Sequence, residues 1–380
     1  MSSKSKDQTT PLILDIGTAT SRIGWAGDDF PDIIAPSVYV DVSDYLFSSD
    51  VIEGLEELFF KNEQILHLVG HQALKYQNIL KIHEFKKEKN FNILLKFFLH
   101  YYKQLDIDEK YQFKQPLIIL SPFFMSDLEK SKLQYLFFNV LKFPSLLFLH
   151  ESQAILSTLQ KASGVVVNMG ESTTYISTIF HGFTNIMARD VFPIAGKELT
   201  NYFLNLILTR IGTSKNIYID KPIAKEIKEK LSLCVLNPQE EQKRVKEGLT
   251  KYDRIISLPD GTNLKLNLER FLLSEPLFNP RLAHIDYISL VEAISKVIKT
   301  WERENWEELV SNIILSGGGS LIPGLDERIQ IELKKYFSEK LKEKIKVIAA
   351  SGRENMAWIG ASILYMKEKL SKGWIENTNL

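Results

Sequence analysis

The sequence predicts an α/β fold made of two similar halves. Three observations carry this: short apolar strand runs alternate with amphipathic helical stripes, one strand-and-glycine pattern occurs twice, and 380 residues are enough for two domains of ordinary size. With 44% apolar and 25% charged residues, the chain is globular rather than disordered or fibrous. Forty-seven basic residues balance 47 acidic ones, so bulk charge gives no reason to expect a nucleic-acid or membrane partner. The single cysteine, Cys234, cannot form an intramolecular disulfide and fits a reducing compartment. The polar residues 1–10 lack the apolar stretch of a secretory signal, and no apolar run is long enough to span a bilayer. The expectation is a soluble intracellular protein, cytoplasmic with the nucleus left open.

Along the chain, Leu12-Ile13-Leu14-Asp15-Ile16-Gly17-Thr18 reads as a strand ending in an acidic residue and a glycine, with a return through Ser21 to Gly27. Phe91, Leu94, Leu95, Phe98, Tyr102 and Leu105 form one helical stripe, and Leu133, Leu136, Phe137, Val140 and Leu141 another. Between them the run from Pro116 to Leu120 reads as a buried strand, with Ser126 or Asp127 as N-cap of the next helix. The lysines at 86–89 and 334–346 alternate with glutamates and read as solvated helix faces. His67 and His71 are spaced for one helix face, but Gly70 weakens a helix there, and they read as ordinary surface histidines. Cys234, in a leucine-rich helical stretch, reads as a buried small residue. Trp25 and Trp358 read as packing.

The second copy of the opening pattern is Val165-Val166-Val167-Asn168-Met169-Gly170-Glu171-Ser172-Thr173-Thr174, with a return through Tyr175 to Phe180. Glycine lets a backbone approach an anion, and the adjacent hydroxyls and amides are donors, so two such hairpins suit a polyphosphate. Ile313-Ile314-Leu315-Ser316-Gly317-Gly318-Gly319-Ser320 is a strand entering a glycine turn ahead of a helix from Leu325, which allows close approach of a ligand. Ala195-Gly196-Lys197-Glu198-Leu199-Thr200 opens another helix, with Leu199, Phe203, Leu206 and Ile207 on its apolar face. Gly196 serves either ligand approach or packing; the residues alone leave both open.

These motifs, in this order, resemble the actin and actin-related protein family almost end to end. The resemblance is carried by Asp15-Ile16-Gly17-Thr18, Gly24-Trp25-Ala26-Gly27-Asp28-Asp29 with Pro31, Pro36-Ser37, Glu151-Ser152-Gln153-Ala154 and Gly170-Glu171-Ser172-Thr173-Thr174. Ala195-Gly196-Lys197-Glu198-Leu199-Thr200, Lys228-Glu229-Lys230-Leu231, Leu258-Pro259-Asp260-Gly261 and Glu269-Arg270-Phe271 continue it. Leu315-Ser316-Gly317-Gly318 with Pro323-Gly324, and Trp358-Ile359-Gly360-Ala361-Ser362-Ile363-Leu364, complete the set.

The resemblance implies a bilobed actin-like ATPase fold with two duplicated lobes and ATP or ADP with Mg2+ in the cleft between them. One lobe would comprise 1–162 and 356–380, with a small assembly subdomain at 37–76, and the other 163–355, with a small subdomain at 195–285. Asp15 would face the metal through water. Gly17, Thr18, Ala19, Gly170, Glu171, Ser172 and Thr173 would surround the phosphates, together with Arg22, which stands where the family usually has lysine and keeps the charge with different geometry. Gln153 would orient the attacking water. Lys228 and Glu229 would border the purine and ribose, floored by Gly317 and Gly318, and Gly196, Gly319 and Ile322 would also belong to the nucleotide-binding set. Asn168 replaces the second lobe's usual aspartate and Tyr175 a histidine of the water-positioning set, which predicts slow hydrolysis. Ile322 and Glu354 stand where the family often has tyrosine and lysine.

For assembly, the resemblance implies self-association or association with other actin-family subunits, and with actin-binding or complex-forming proteins. The segment 39–68 takes the place of the loop that inserts into a neighbouring filament subunit but matches it poorly, and 278–285 replaces part of a lateral plug while retaining Leu282 and Ile285. The short run after Trp374-Ile375 alters a surface where many actin-binding proteins dock. Two functions therefore compete: an ATP-binding filament protein, favoured by Asp15 and Gln153, and a non-hydrolysing structural subunit of a fixed complex, favoured by Asn168 and Tyr175. A sugar or acetate kinase on the same duplicated fold would need an acceptor site with a catalytic acid, which is not found, and a chaperone of the Hsp70 type would need a further peptide-binding region.

Overall fold

The computed structural model describes residues 9–42, 67–77, 80–212 and 218–378. Its contacts divide the chain into two units, Met1–Thr158 with Ala357–Leu380, and Leu159–Met356.

In the first unit, β1 (Leu12–Ile16), β2 (Thr20–Trp25) and β3 (Ile33–Pro36) form an antiparallel meander. A small sheet of β4 (Val38–Asp41), β5 (His67–Val69) and β6 (His83–Glu84) follows, and then α1 (Phe91–Tyr102). β7 (Leu117–Ser121) and β8 (Ser145–His150) extend the main sheet in parallel, joined by a crossover that contains α2 (Asp127–Gln134). The helix after β8 is α3 (Glu151–Thr158). β1 is a continuous apolar run because both its faces are covered. Leu12 and Leu14 pack with Phe97 and Phe98 of α1, while Ile13 packs on the opposite side with Trp358 and Ala361.

The second unit repeats the plan with β9 (Gly164–Met169), β10 (Thr174–Phe180) and β11 (Phe183–Phe192), then α4 (Gly196–Ile211) and α5 (Lys221–Leu231). A separate ribbon of β12 (Arg254–Ser257) and β13 (Asn263–Leu266) precedes α6 (Leu290–Lys299). β14 (Ile313–Ser316) runs parallel to β9, and after α7 (Leu325–Leu333) β15 (Val347–Ile348) runs parallel to β14. Finally α8 (Met356–Met366) returns the chain to the first unit, where β16 (Ile375–Glu376) pairs with β8. Each main sheet therefore contains the same succession, β3-β2-β1-β7-β8 and β11-β10-β9-β14-β15, with the same strand directions. The repeated sequence pattern is a repeated topology.

The structure confirms the Ser126 cap: its hydroxyl accepts from the Glu129 amide at 3.2 Å while Glu129 accepts from the Ser126 amide at 3.1 Å. The helix beyond it does not stay α. Residues Tyr135–Val140 form a π turn, which buries the three consecutive side chains Leu136, Phe137 and Phe138. Val140, expected on the buried face, is exposed because the wider turn rotates it away. Cys234 is buried as expected but lies in the irregular segment after α5 rather than in a helix. Lys86, expected on a solvated helix face, sits in a turn and donates to the Ile16 carbonyl. His67 ends up on β5 and His71 on the short helix beyond Gly70, so no helix face joins them. Most of 39–68 lies outside the described residues. Among the described residues no helix is long and apolar enough to cross a membrane.

Candidate functional site

The first hairpin pairs Ile16 with Ser21, and the second pairs Met169 with Thr174, so 17–20 and 170–173 are turns of equal length. Both need glycine at their first position. A Cβ on Gly170 would lie 2.9 Å from the Thr173 carbonyl oxygen, and one on Gly17 would approach the Thr20 carbonyl still more closely. Thr18 and Ala19 are half-buried in the first turn, and Ser172 is exposed in the second.

One step back along each hairpin, two side chains face each other across the strands. In the first unit Asp15 is opposite Arg22, whose Nη1 donates to Asp15 Oδ2 at 3.0 Å; each side chain is 12% exposed. In the second unit Asn168 is opposite Tyr175, and Asn168 Nδ2 donates to the phenol oxygen at 3.1 Å. An ion pair and a neutral pair therefore occupy equivalent positions. Lys86, donating to the Ile16 carbonyl, adds a second cation beside the first turn.

The first hairpin is held from behind. The Trp358 indole donates to the Ile13 carbonyl at 3.3 Å, and Ser362 Oγ accepts from the Gly27 amide at 2.8 Å. Gly360 lets α8 lie directly against the Ala154 carbonyl of α3, and Ser157 Oγ donates to the Gly360 carbonyl at 2.8 Å. This packing fixes α3, which carries Gln153. Gln153 is half-buried, and no described residue hydrogen-bonds its side chain.

The second turn is gripped by α4. The Gly196 amide donates to the Gly170 carbonyl at 3.0 Å and the Lys197 amide to the Glu171 carbonyl at 2.8 Å, so these two helix-end amides are already satisfied by protein. A Cβ on Gly196 would lie 3.3 Å from both the Glu171 Cα and the Gly170 carbonyl oxygen, so α4 packs tightly on the backbone of the second turn here. Lys228, on α5, is buried and donates to the Gly196 carbonyl at 2.7 Å and to Thr200 Oγ1 at 2.8 Å. Burial pulls its ammonium below the ordinary value, opposed by the Glu171 and Glu229 carboxylates. Glu171 itself pairs with Lys225 at 3.3 Å, and Glu229 is exposed.

At the end of β14 the three glycines divide their work. Gly317, at φ 81°, is pressed against Asn168 Oδ1 and the Met169 carbonyl, and a Cβ on Gly319 would be 3.0 Å from the same carbonyl. A Cβ on Gly318 meets no described heavy atom within 4 Å, so this glycine alone of the three leaves an open surface. Ile322 is buried in the second unit's core. Arg353, which the sequence reading did not single out, clasps this turn: its Nε donates to Ser320 Oγ at 3.1 Å and its Nη2 to the Ser320 carbonyl at 2.8 Å. No local signal marks Arg353, because its partners lie far away in sequence.

Thus the second unit brings Gly170, Glu171, Gly196 and Lys228 together, and separately Asn168, Tyr175, Gly317 and Gly319. The first unit brings Asp15, Gly17 and Arg22 together. Among the described residues no group of three or more His, Cys, Asp or Glu side chains forms a metal cluster.

Comparison with known proteins agrees with this duplicated architecture. The profile of the family described as actin matches residues 6–379. A curated relative, described as an actin-like protein of Neurospora crassa, is 25% identical over 369 residues, covering 96% of this chain and 93% of that protein. With a family match over nearly its whole length and the same hairpin plan in both of its units, the chain belongs to the actin family.

Proposed function

We propose that the chain binds ATP or ADP and hydrolyses it slowly, as a protein that forms or joins actin-type filaments. The observation that carries this reading is the recurrence of one hairpin, with equal turns and a glycine at the same place in each. Actin-family proteins generally bind ATP or ADP with Mg2+. Glycine-led turns with hydroxyls fit phosphate, and the open face of Gly318 fits a flat ligand such as a base. A divalent cation fits less well, since it would have to share Asp15 with Arg22 and would find an amide at Asn168.

When bound, ATP supplies the γ-phosphate that hydrolysis removes. Gln153 would orient water by hydrogen bonding. Neutral Asn168 lacks a carboxylate's charge, and a phenol is a poorer general base near neutrality than an imidazole. That pair also favours the second reading, a nucleotide-stabilised structural subunit of a multiprotein assembly. For assembly contacts, Leu282 stands 41% exposed at a groove of about 480 Å³ lined also by Tyr202, Leu206 and Leu272.

Sedimentation and phosphate release followed together on purified protein with Mg-ATP test both readings. The filament reading expects ATP-dependent sedimentation that Leu282→Asp weakens, with slow phosphate release that Asn168→Asp combined with Tyr175→His accelerates. A monodisperse protein that binds but does not turn over ATP would favour the complex subunit. Rapid turnover by the unaltered protein would overturn the hydrolysis assignment.

A further inference from the structure

We infer that nucleotide binding by this chain is largely independent of a divalent cation, because the carboxylates that would hold the cation are either paired with its own guanidinium and ammonium groups or replaced by an amide. The inference rests on the nucleotide-binding reading above and concerns the charge carried by each hairpin.

A magnesium ion on a polyphosphate is ordinarily held or hydrated through one or two carboxylates in addition to the phosphates. In the first hairpin the one carboxylate at the turn, Asp15, is bound by Arg22 at 3.0 Å, and the two are equally shielded from solvent. Its negative charge is already compensated. Lys86, on the Ile16 carbonyl, adds a further cation beside that turn. In the second hairpin the equivalent position is Asn168, an amide directed to Tyr175. The only carboxylate within 170–173 is Glu171, which pairs with Lys225 at 3.3 Å, and Lys228 lies behind it. The carboxylate nearest each turn is thus already paired with a cation, Asp15 with Arg22 and Glu171 with Lys225.

The consequence for binding follows from charge balance. Uncomplexed ATP carries more negative charge than its magnesium complex, and a site whose carboxylates are neutralised by Arg and Lys does not repel it. Loss of Arg22 would leave the Asp15 carboxylate uncompensated beside the turn. With one carboxylate restored at position 168, the second hairpin would again repel bare polyphosphate and favour the magnesium complex.

Isothermal titration of the full chain with ATP, once in excess magnesium chloride and once in excess EDTA, tests this without reference to turnover. The expected result is a dissociation constant that changes by less than about threefold between the two conditions for the unaltered protein. Asn168→Asp should acquire a preference of about tenfold or more for the magnesium condition, and Arg22→Gln should weaken binding mainly in EDTA. Tight binding in magnesium that falls about tenfold or more in EDTA for the unaltered protein would overturn this inference and leave the nucleotide-binding reading intact. Absence of binding in both conditions would overturn that reading, and this inference with it.

Discussion

The two hairpins have the same backbone and different chemistry. Register, turn length and leading glycine agree, yet one carries Asp15 against Arg22 and the other Asn168 against Tyr175. Their support differs as well: an indole and a close helix pair stand behind the first, while helix-end amides and a buried lysine hold the second. Steric demands at a tight turn are the same in every copy, whereas the facing pair tolerates any two side chains that satisfy each other.

The largest expected effect separates the two kinds of support. Trp358→Ala should destabilise the first unit by about 3–5 kcal/mol, since it removes a fully buried indole that both packs on Ile13 and bonds its carbonyl. Urea denaturation measures it, and a loss below about 1 kcal/mol would mean that the hairpin does not depend on that backing.

Next come the glycines. Gly17→Ala should cost about 3 kcal/mol and Gly170→Ala about 1 kcal/mol, because the first turn brings the carbonyl nearer to the missing Cβ. Equal losses would show that the turns relax alike.

What the sequence made legible follows the same division. Glycine turns, apolar strand runs and the Ser126 cap are local, so their residues announce them. The partner of each surface is not local. Trp358 reads as packing without any sign that it meets Ile13, and nothing near Arg353 or Lys86 indicates the carbonyls they reach. The π turn escaped because a stripe of Leu133, Leu136 and Phe137 suits an α-helix equally well, and only burial of Phe138 with exposure of Val140 distinguishes them. Nor does the sequence around Gly196 indicate that it packs against the backbone of Gly170 and Glu171.

A smaller effect probes the buried cation of the second hairpin. Burial lowers the Lys228 pKa from 10.5, so between that depressed value and 10.5 the unfolded chain binds more protons than the folded one at this group. Its contribution to stability therefore rises with pH through that window. Relative to Lys228→Met, the unaltered protein should gain stability as pH is raised from neutrality toward the upper end of the window, as read from denaturation midpoints. A constant difference would indicate that burial costs the ammonium nothing.

The most direct test of the proposal that the chain binds a nucleotide at its glycine turns is the melting temperature with and without ATP for the unaltered protein and for Gly318→Val. Gly318 is the glycine whose side-chain position is open, so the variant should melt at the same temperature as the unaltered protein when no ligand is present. ATP at a hundredfold excess over its dissociation constant should stabilise the unaltered protein by about 2.7 kcal/mol and Gly318→Val by far less. An unaltered protein whose melting ignores ATP, or a variant stabilised to the same extent, would contradict the account.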